Sequence, residues 1–294
     1  MSATTDTSGT SSDQLSDQLS DQVWFITGSS RGLGRTLARE VLEAGHQAVL
    51  TARDTASLTD LATRHGDRAL LLPLDVTDAE QAEQTVKAAV DTFGRLDVVV
   101  NNAGYANIAP VEQVPLDDFR AQVEAIFFGT VHVTKAVLPV FRRQGYGHVI
   151  QVSSIDGRLG TPGLSAYQAA KHAVEGFSKA LATEVNRLGI RITLAEPGPM
   201  RTDWAGTSMR TPAVDAFYQG TVGATISYAR CTSGHEPVDP TKVARALLSI
   251  ADLPEPPLHL VLGRTALDSV ADELKRQLKE DSSWAWIGRA VDFA

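Results

Sequence analysis

The chain has 294 residues, of which 43% are hydrophobic and 21% are charged, so a coiled coil, a collagen-like repeat and a wholly disordered protein are excluded. The formal net charge of −8 argues against nucleic acid or an anionic membrane surface as the main partner. The single cysteine, Cys231, cannot form an internal disulfide, which favours a cytoplasmic protein. No run of about 18 apolar residues is present, so we expect no membrane-spanning segment.

Residues 1–22 differ in composition from the rest of the chain. They contain four aspartates and no lysine or arginine, and they are otherwise mostly Ser, Thr and Gln. The segment has neither the basic start nor the apolar core of a signal peptide. We expect a disordered tail, because so little apolar surface cannot offset the entropy of ordering. The alternative is a short docking helix, since the repeat SDQLSDQLSDQ would place Leu15 and Leu19 on one helix face.

From Val23 onward, short apolar runs alternate with segments of helical periodicity. The predicted strands are Val23–Thr27, Gln47–Ala52, Ala69–Leu74, Asp97–Val100, His148–Ser153, Ile190–Ala195 and Leu258–Leu262. Predicted helices begin near Leu33 and then cover Asp78–Phe93, Leu116 to about Arg143, Ser165–Leu188, Pro240–Ala251 and Ala266–Lys279, with an irregular stretch over 200–239. Apolar strands separated by helices indicate an α/β fold, in which helices cover both faces of a parallel sheet. No linker interrupts 23–294, so we predict a single domain there.

The first strand and first helix are joined by the glycine-rich turn TGSSRGLG at 27–34. Glycine permits a positive φ and lets backbone amides approach a phosphate, and the helix behind adds its positive N-terminal end. The spacing is G-x-x-x-G-x-G rather than the commoner G-x-G-x-x-G, but its place after the first strand favours a dinucleotide site. The predicted cofactor contacts in this turn are Gly28, Ser30, Arg31, Gly32 and Leu33.

The end of the second predicted strand favours NADP over NAD. Dinucleotide folds that prefer NAD usually carry an acid there, which bonds the ribose hydroxyls. This strand instead ends in LTAR at Arg53, and Arg31 lies inside the glycine turn. Two guanidinium groups suit a 2′-phosphate through charge-assisted hydrogen bonds. The alternative is that Arg53 and the following Asp54 form an ordinary surface pair.

Three side chains predict a catalytic site. Tyr167 and Lys171 are four residues apart in a predicted helix and therefore share one face. A phenol, with an ordinary pKa of about 10, is a poor acid–base group at neutral pH, but a nearby ammonium favours the phenolate and lowers that pKa. Ser154 follows the predicted strand 148–153, at the edge where parallel sheets place ligands. Ser154 would bond a carbonyl oxygen while Tyr167 supplies the proton.

In this order, the motifs resemble the short-chain dehydrogenase/reductase family in its single-domain form, over nearly all of 23–293. They are TGSSRGLG (27–34), LDVTD (74–78), NNAG (101–104), Ser154, Y-x-x-x-K (167–171) and EPGPMRTDW (196–204). The resemblance implies a Rossmann-like doubly wound parallel sheet of about seven strands. It also implies hydride transfer between nicotinamide and a carbonyl or secondary alcohol carbon, with NADP (NADPH) preferred on the charge argument above.

The same resemblance implies a role for each motif residue. Tyr167 would be the general acid or base, Ser154 would hold the substrate oxygen, and Lys171 would hold the nicotinamide ribose as well as tune Tyr167. Asp75 would bond the adenine amino group, with Val76 packing beside it. The remaining implied cofactor contacts are Asn102, Ala103 and Gly104 on the adenine-ribose side, and Pro197, Gly198 and Thr202 on the nicotinamide side.

One position departs from the family pattern. The family usually has an asparagine three residues before a glycine of the long central helix, where it completes a proton relay. In AIFFGT that glycine is Gly129, so the matching residue is Ile126, which cannot take part in such a relay. We expect either another proton route or slower catalysis. Exchange of Ile126 for asparagine should leave cofactor binding intact and raise turnover or leave it unchanged.

The substrate is the least determined part. The variable segment 200–239 should cover the pocket, because loops beyond strand ends carry specificity. Its aromatic residues suit an apolar carbonyl or alcohol, although some could form a small core of the segment itself: Trp204, Phe217, Tyr218 and Tyr228. We expect no metal site, because His235 and Cys231 have no ligand partners at suitable spacing. Trp284 and Trp286 should pack on the domain or on a subunit partner.

Other functions remain open from the sequence alone. A nucleotide-sensing or scaffold protein that keeps the fold but has impaired catalysis is supported only by Ile126. The same three side chains could also reduce an imine or alkene, or serve an isomerase. The two longest predicted helices, 116–143 and 165–188, carry more apolar residues than one sheet face needs, and the resemblance implies that they pair in a homodimer or homotetramer.

Overall fold

The computed structural model describes residues 21–205 and 209–293. Most of the predicted tail, up to residue 20, lies outside the described residues. The described chain contains a seven-stranded parallel sheet in the order β3-β2-β1-β4-β5-β6-β7. This is the predicted doubly wound α/β fold, and each strand lies within two residues of its predicted bounds. The strands are β1 (Val23–Ile26), β2 (Gln47–Ala52), β3 (Ala69–Pro73), β4 (Val98–Asn101), β5 (Gly147–Val152), β6 (Ile190–Pro197) and β7 (His259–Leu262).

Helices connect consecutive strands, as right-handed parallel crossovers require. They are α1 (Gly32–Glu43), α2 (Thr59–His65), α3 (Ala79–Phe93), α4 (Leu116–Val123), α5 (Gly129–Gln144), α6 (Ser165–Val185), α7 (Ala224–Thr232), α8 (Pro240–Ala251) and α9 (Arg264–Arg289). On one face of the sheet, Leu37 of α1 and Leu247 of α8 are fully buried in one core cluster. On the other face, Val86 of α3 and Val137 of α5 belong to a second cluster. The central strands β1 (VWFI) and β4 (VVVN) are covered on both sides, which is why their apolar residues show no alternation.

The long central helix is continuous from Leu116 to Gln144, because a π-helical turn at Glu124–Phe128 joins α4 to α5. By length and composition this helix is apolar enough to cross a membrane, with a mean hydropathy of 1.4 over its most apolar window. Core helices of globular proteins meet the same criterion. Here Val133, Val137 and Phe141 are fully buried in the core, and 39% of that window is buried.

Three helical segments differ from the prediction. Helix α2 lies between two predicted strands where we expected no helix, and α7 lies within the stretch expected to be irregular. Helix α9 continues ten residues beyond its predicted end at Lys279. The serines there do not break it, because Ser282 and Ser283 donate to the carbonyls of Leu278 and Lys279, at 2.7 and 2.8 Å. Four-residue back-bonding of this kind satisfies a serine hydroxyl inside a helix.

The tryptophans at the end of α9 do not pack on the domain. Trp284 is 59% exposed and Trp286 is 68% exposed. Of the two expectations for them, packing on the domain is therefore wrong, and contact with a subunit partner remains a prediction.

The sheet order creates a crevice at the carboxyl ends of the strands. β1 lies between β2 and β4. The connection after β1 runs toward β2 and the connection after β4 runs toward β5, so the two leave the centre of the sheet in opposite directions. Ligands of open parallel sheets bind at such a switch point. The glycine turn follows β1, NNAG ends β4, Ser154 follows β5 and EPG ends β6, so the topology brings these motifs to one edge of the sheet.

Candidate active site

The glycine turn has the backbone conformation that its sequence predicts. Gly28 and Gly32 have φ values of +66° and +55°, a region that L side chains rarely adopt. Gly34 is required for a different reason, since a Cβ there would overlap the carbonyl oxygen of Gly28 and lie 2.5 Å from Nδ2 of Asn102. The turn thus leaves its backbone open to the crevice, which is the shape that a phosphate needs.

Asn102 holds this turn against the end of β4. Its Nδ2 donates to the carbonyl oxygens of Thr27 and Gly28 at 2.8 and 3.2 Å. In return, Oγ1 of Thr27 accepts the backbone N–H groups of Asn102 and Ala103 at 2.9 and 3.0 Å. The Asn102 side chain is therefore used inside the protein, so its part in a cofactor site is to shape the turn.

The surroundings of the turn are basic. Arg31 and Arg53 are both exposed. The alternative reading of Arg53 as a partner of Asp54 is not what the described residues show, because the Asp54 carboxylate accepts the N–H of Ala56 at 2.9 Å and forms no ion pair with Arg53. A cavity of about 370 Å³ opens beside Gly32 and Thr202, and its walls contain four arginines and two aspartates: Arg35, Arg39, Arg64, Arg201, Asp60 and Asp203.

The other implied cofactor residues border the same crevice. One oxygen of Asp75 accepts the N–H and hydroxyl of Thr77 at 3.0 and 2.8 Å. Val76 is buried and packs so closely on Gly129 that a Cβ at that glycine would lie 2.6 Å from Cγ2 of Val76. Thr202 lies over the glycine turn, with its Cβ 3.8 Å from the place of a Cβ on Gly32. Ser30 lies in the turn, Leu33 in the first turn of α1, Gly104 is the last residue of NNAG, and Gly198 follows Pro197, the last residue of β6.

The structure brings Ser154, Tyr167 and Lys171 together at the end of β5, and all three are buried. Nζ of Lys171 donates to the carbonyl oxygen of Val152 at 2.6 Å and lies 5.6 Å from the centre of the Tyr167 ring. The other side of that ring meets Trp204 edge to face, with 5.6 Å between ring centres. The predicted grouping of three side chains is therefore present, with one aromatic residue of the variable segment beside it.

The pKa values of the two titratable members move in opposite directions. Burial raises the pKa of Tyr167 above its ordinary range, Asp156 adds to that effect, and the Ser154 hydroxyl works against it. Burial lowers the pKa of Lys171 to about 8, while Glu175 and Asp156 oppose the shift. The pKa of Tyr167 in the chain alone is thus raised, not lowered as expected, because desolvation dominates at this depth. The lowering effect of Lys171 stays a prediction.

A carboxylate that sequence reasoning missed lies beside these three residues. Oγ of Ser154 accepts the backbone N–H of Asp156 at 3.1 Å and lies 3.4 Å from its Oδ2. The other oxygen, Oδ1, accepts from Nε2 of Gln168 at 2.8 Å and from Oγ1 of Thr161 at 3.1 Å. The available signal was an acid two residues after Ser154, in SSIDG.

A second missed group lies beneath Lys171. Glu175 and Glu196 are buried, and ligand atoms of Glu175, Glu196 and His259 lie within 4.8 Å of one another, close enough in principle for a metal. However, Arg158 and His259 both contact Oε1 of Glu196, at 2.6 and 2.7 Å. The guanidinium already supplies a positive charge to this cluster, which is the usual condition for burying a carboxylate.

Ile126 lies in the π-helical turn Glu124–Phe128 of the long central helix. It is 1% exposed and shares an apolar cluster with Tyr167 and Leu194. Its side chain approaches Gly104, where a Cβ would lie 3.3 Å from Cγ1 of Ile126. Its carbonyl oxygen accepts the hydroxyl of Thr130 at 2.7 Å. Both the side chain and the carbonyl are therefore engaged within the protein.

The variable segment divides into buried and exposed parts. Its base is closed by the N–H of Arg201, which donates to the carbonyl of Val238 at 3.0 Å. Val222 and Ile226 are buried in the cluster that contains Tyr167, and Trp204 packs against that cluster. Phe217 is 92% exposed, and Tyr228 also points to solvent. Of the aromatic residues expected to suit an apolar substrate, Trp204 is the one that contacts Tyr167.

Known proteins match this chain in sequence and in fold. A profile of the short chain dehydrogenase family matches residues 22–213. The oxidoreductase BOA17 of Botryotinia fuckeliana is 50% identical over 269 residues, which cover 91% of this chain and 98% of that protein. A short-chain dehydrogenase from Streptomyces avermitilis superimposes with a TM-score of 0.85 at 35% identity, over 93% of this chain and 100% of that one.

Two further solved structures carry nicotinamide cofactors. An alcohol dehydrogenase from Thermococcus sibiricus, complexed with 5-hydroxy-NADP, is 25% identical with a TM-score of 0.66 and covers 83% of this chain and 96% of that one. A 3-ketoacyl-(acyl-carrier-protein) reductase from Brucella melitensis, complexed with NADH, is 25% identical with a TM-score of 0.70 and covers 83% of this chain and 97% of that one. Similar folds thus hold both the phosphorylated and the unphosphorylated cofactor.

Proposed function

The chain belongs to the short-chain dehydrogenase family of oxidoreductases, and on that premise we propose that it is an NADP-dependent carbonyl reductase or alcohol dehydrogenase. One observation carries the proposal: Ser154, Tyr167 and Lys171 meet in a buried site at the carboxyl end of β5. A hydroxyl, a phenol and an amine in this arrangement can hold a carbonyl oxygen and give it a proton. A bound nicotinamide supplies or accepts the hydride.

The residues around the crevice suit a dinucleotide. Gly28 and Gly32 have positive φ, and Gly34 allows the close approach between the turn and Asn102. Amides exposed by such a turn, at the start of α1, can bind a pyrophosphate. Oδ1 of Asp75 accepts both hydrogen bonds from Thr77. The other carboxylate oxygen can accept a hydrogen bond from the adenine amino group. Pro197, Gly198 and Thr202 would border the nicotinamide.

NADP is the proposed cofactor because of charge at the end of β2. Arg53 is exposed there without an Asp54 ion pair among the described residues, and Arg31 lies in the turn. Charge-assisted hydrogen bonds from guanidinium groups favour a 2′-phosphate. Four further arginines and two aspartates line the cavity beside Gly32, so arginines are in excess there although the whole chain is acidic.

Each member of the proposed catalytic site has a distinct task. Ser154 would donate its hydroxyl to the substrate oxygen, and Tyr167 would give that oxygen a proton in reduction or remove one in oxidation. Because the pKa of Tyr167 is raised, its phenol is protonated at neutral pH in the chain alone, which suits reduction. Lys171, held by the carbonyl of Val152 at 2.6 Å, would meet the nicotinamide ribose.

The test is NADPH oxidation with a panel of ketones, namely acetophenone, cyclohexanone and 2-decanone. We expect turnover of at least one, and loss of about 100-fold or more in Tyr167→Phe, since acid–base groups commonly contribute that much. NADPH binding, followed by its fluorescence, should survive the exchange. Equal turnover by Tyr167→Phe would contradict the mechanism.

A second function has one observation in its favour. Ile126 is buried among apolar residues, so it offers no polar side chain to a proton relay. A nucleotide sensor that binds NADPH without turning over ketones, imines or alkenes would fit that feature. The intact Ser154, Tyr167 and Lys171 favour the enzyme, and NADPH binding without turnover across all three substrate classes would favour the sensor.

The proposal also includes the setting of the enzyme, as a single-domain cytoplasmic homodimer or homotetramer acting on a small apolar carbonyl compound. Exposed apolar residues on the long central helix, Leu116 and Phe128 among them, support association with a second copy. Sedimentation of the full chain measures that association.

A further inference from the structure

Asp156 is held in place from two sides. Oδ1 accepts Nε2 of Gln168, in the first turn of α6, at 2.8 Å, and Oγ1 of Thr161 in the preceding loop at 3.1 Å. The amide of Gln168 is itself fixed, because its Oε1 accepts the N–H of Thr161 at 3.0 Å. With Oδ1 occupied by two donors, Oδ2 is left toward Oγ of Ser154, at 3.4 Å.

Asp156 contacts the Ser154 side chain twice. Oγ of Ser154 accepts the backbone N–H of Asp156 at 3.1 Å. The hydroxyl proton is then free to point to another acceptor, and both Oδ2 of Asp156, at 3.4 Å, and the Tyr167 hydroxyl lie within its reach. A contact of that length is a weak hydrogen bond. A substrate oxygen at normal hydrogen-bond distance can therefore replace Asp156 as the acceptor of the Ser154 hydroxyl.

Resting on the function proposed above, we infer that Asp156 is a positioning residue, which orients the Ser154 hydroxyl and places a fixed negative charge beside Tyr167. The charge opposes formation of a second negative charge on the phenol. Compared with an uncharged residue at 156, Tyr167 therefore stays protonated to higher pH and can act as an acid in carbonyl reduction over that range. Alcohol oxidation needs the deprotonated phenol as a base, so it begins only at correspondingly higher pH. Asp156 thereby sets the pH range of each direction.

The charged groups around Tyr167 support this assignment. Asp156, from the turn after β5, raises the pKa of both Tyr167 and Lys171. Glu175, one turn beyond Lys171 on α6, faces Lys171, and burial raises its own pKa. Asp156 is therefore the described carboxylate whose charge acts both on the phenol and on Lys171, whose Nζ lies 5.6 Å from the centre of the Tyr167 ring.

The experiment measures turnover against pH in both directions, with the panel ketone that is reduced fastest and with the alcohol made from it. Asp156→Asn keeps the size of the side chain and removes its charge. We expect the alkaline limit of reduction and the acidic limit of oxidation to move together to lower pH, by about one pH unit. Loss of a purely structural contact would lower kcat without moving either limit.

Two further variants keep the result decisive. Asp156→Glu retains the charge but displaces the carboxylate, so kcat should fall while both limits stay in place. Asp156→Ala removes the charge without adding an amide, and its limits should move as in Asp156→Asn. NADPH fluorescence and circular dichroism check that each variant binds cofactor and folds. If the limits stay fixed in both uncharged variants, the inference is overturned.

The proposed function and this inference fail separately. If Tyr167→Phe is inactive but the uncharged Asp156 variants keep the original pH limits, only the role of Asp156 is wrong. If Tyr167→Phe retains full turnover, the proposed acid–base role is itself wrong, and with it the role of Asp156.

Discussion

The two halves of the crevice are built differently. In the half proposed for the cofactor, Asn102 and Thr27 join the glycine turn to β4 by hydrogen bonds of 2.8 to 3.2 Å, and Gly34 leaves no room for a side chain. The half proposed for the substrate is attached through longer loops, for example where the N–H of Ile108 donates to the carbonyl of Arg210 at 3.1 Å. Phe217 in this half is almost fully exposed.

This contrast distinguishes a site built for one kind of ligand, a phosphate, from a loop surface that can vary with the substrate. A phosphate site depends on backbone atoms at fixed positions, so small residues and amide bridges are required at particular places. A substrate cover needs only apolar side chains near the reacting atoms, and loops on a rigid scaffold supply them. Exchanges in the glycine turn should therefore change ligand affinity more than exchanges in the loops over the substrate.

The largest effect should come from Gly34→Ala. The added Cβ would overlap the carbonyl oxygen of Gly28 and crowd Nδ2 of Asn102, so the turn must open. Overpacking of this kind costs about 1–3 kcal/mol. Because the displaced atoms form the cofactor turn, we expect NADPH affinity to fall by roughly 100-fold, or about 2.7 kcal/mol. Titration of NADPH fluorescence measures it.

A matched control for this exchange lies in another helix. Gly176 in α6 is exposed, and a Cβ there would meet nothing within 4 Å. Gly176→Ala should leave NADPH affinity unchanged and raise stability by up to about 1 kcal/mol, because alanine favours the helix. Equal NADPH affinity in the two variants would mean that the turn tolerates a side chain, contrary to its geometry.

A smaller effect, confined to one cofactor, should come from Arg53→Ala. Loss of a guanidinium near the 2′-phosphate should weaken NADPH binding about tenfold, or 1.4 kcal/mol, and leave NADH binding nearly unchanged. Arg187→Ala serves as the charge-matched control, because Arg187 is exposed and lies just before β6, at the amino ends of the strands and away from the crevice. An equal loss for NADH would show that Arg53 supports the turn rather than reading the phosphate.

What could be predicted from the sequence follows the same division. The strands were predictable because burial on both faces leaves unbroken apolar runs, and the glycine turn was predictable because its geometry demands glycine. Helix α7 was missed because Ile226 is its one buried residue and Tyr228 faces solvent, so this short helix has no apolar stripe that a sequence pattern could show.

The candidate site shows the same limit. The spacing of Tyr167 and Lys171 placed them on one helix face, but the depth of burial that raises the pKa of Tyr167 depends on Trp204 and Ile126, which are distant in sequence. Asp156 was missed for a related reason. Its contacts with Gln168 and Thr161 form only when the loop after β5 folds onto α6.

The smallest effect on turnover should come from Ile126→Asn, which changes a residue of the apolar cluster that contains Tyr167. NADPH binding should be unchanged, and turnover should rise or stay within about twofold, since Ile126 offers no polar group to be lost. Stability should fall by about 1–3 kcal/mol, because an amide would enter an apolar cluster where Ile126 is 1% exposed. Ile126→Val, costing about 0.5–1.5 kcal/mol, is the apolar control. A large loss of turnover in the asparagine variant alone would show that Ile126 shapes the substrate pocket beside Tyr167. The substrate half would then be as exacting as the cofactor half.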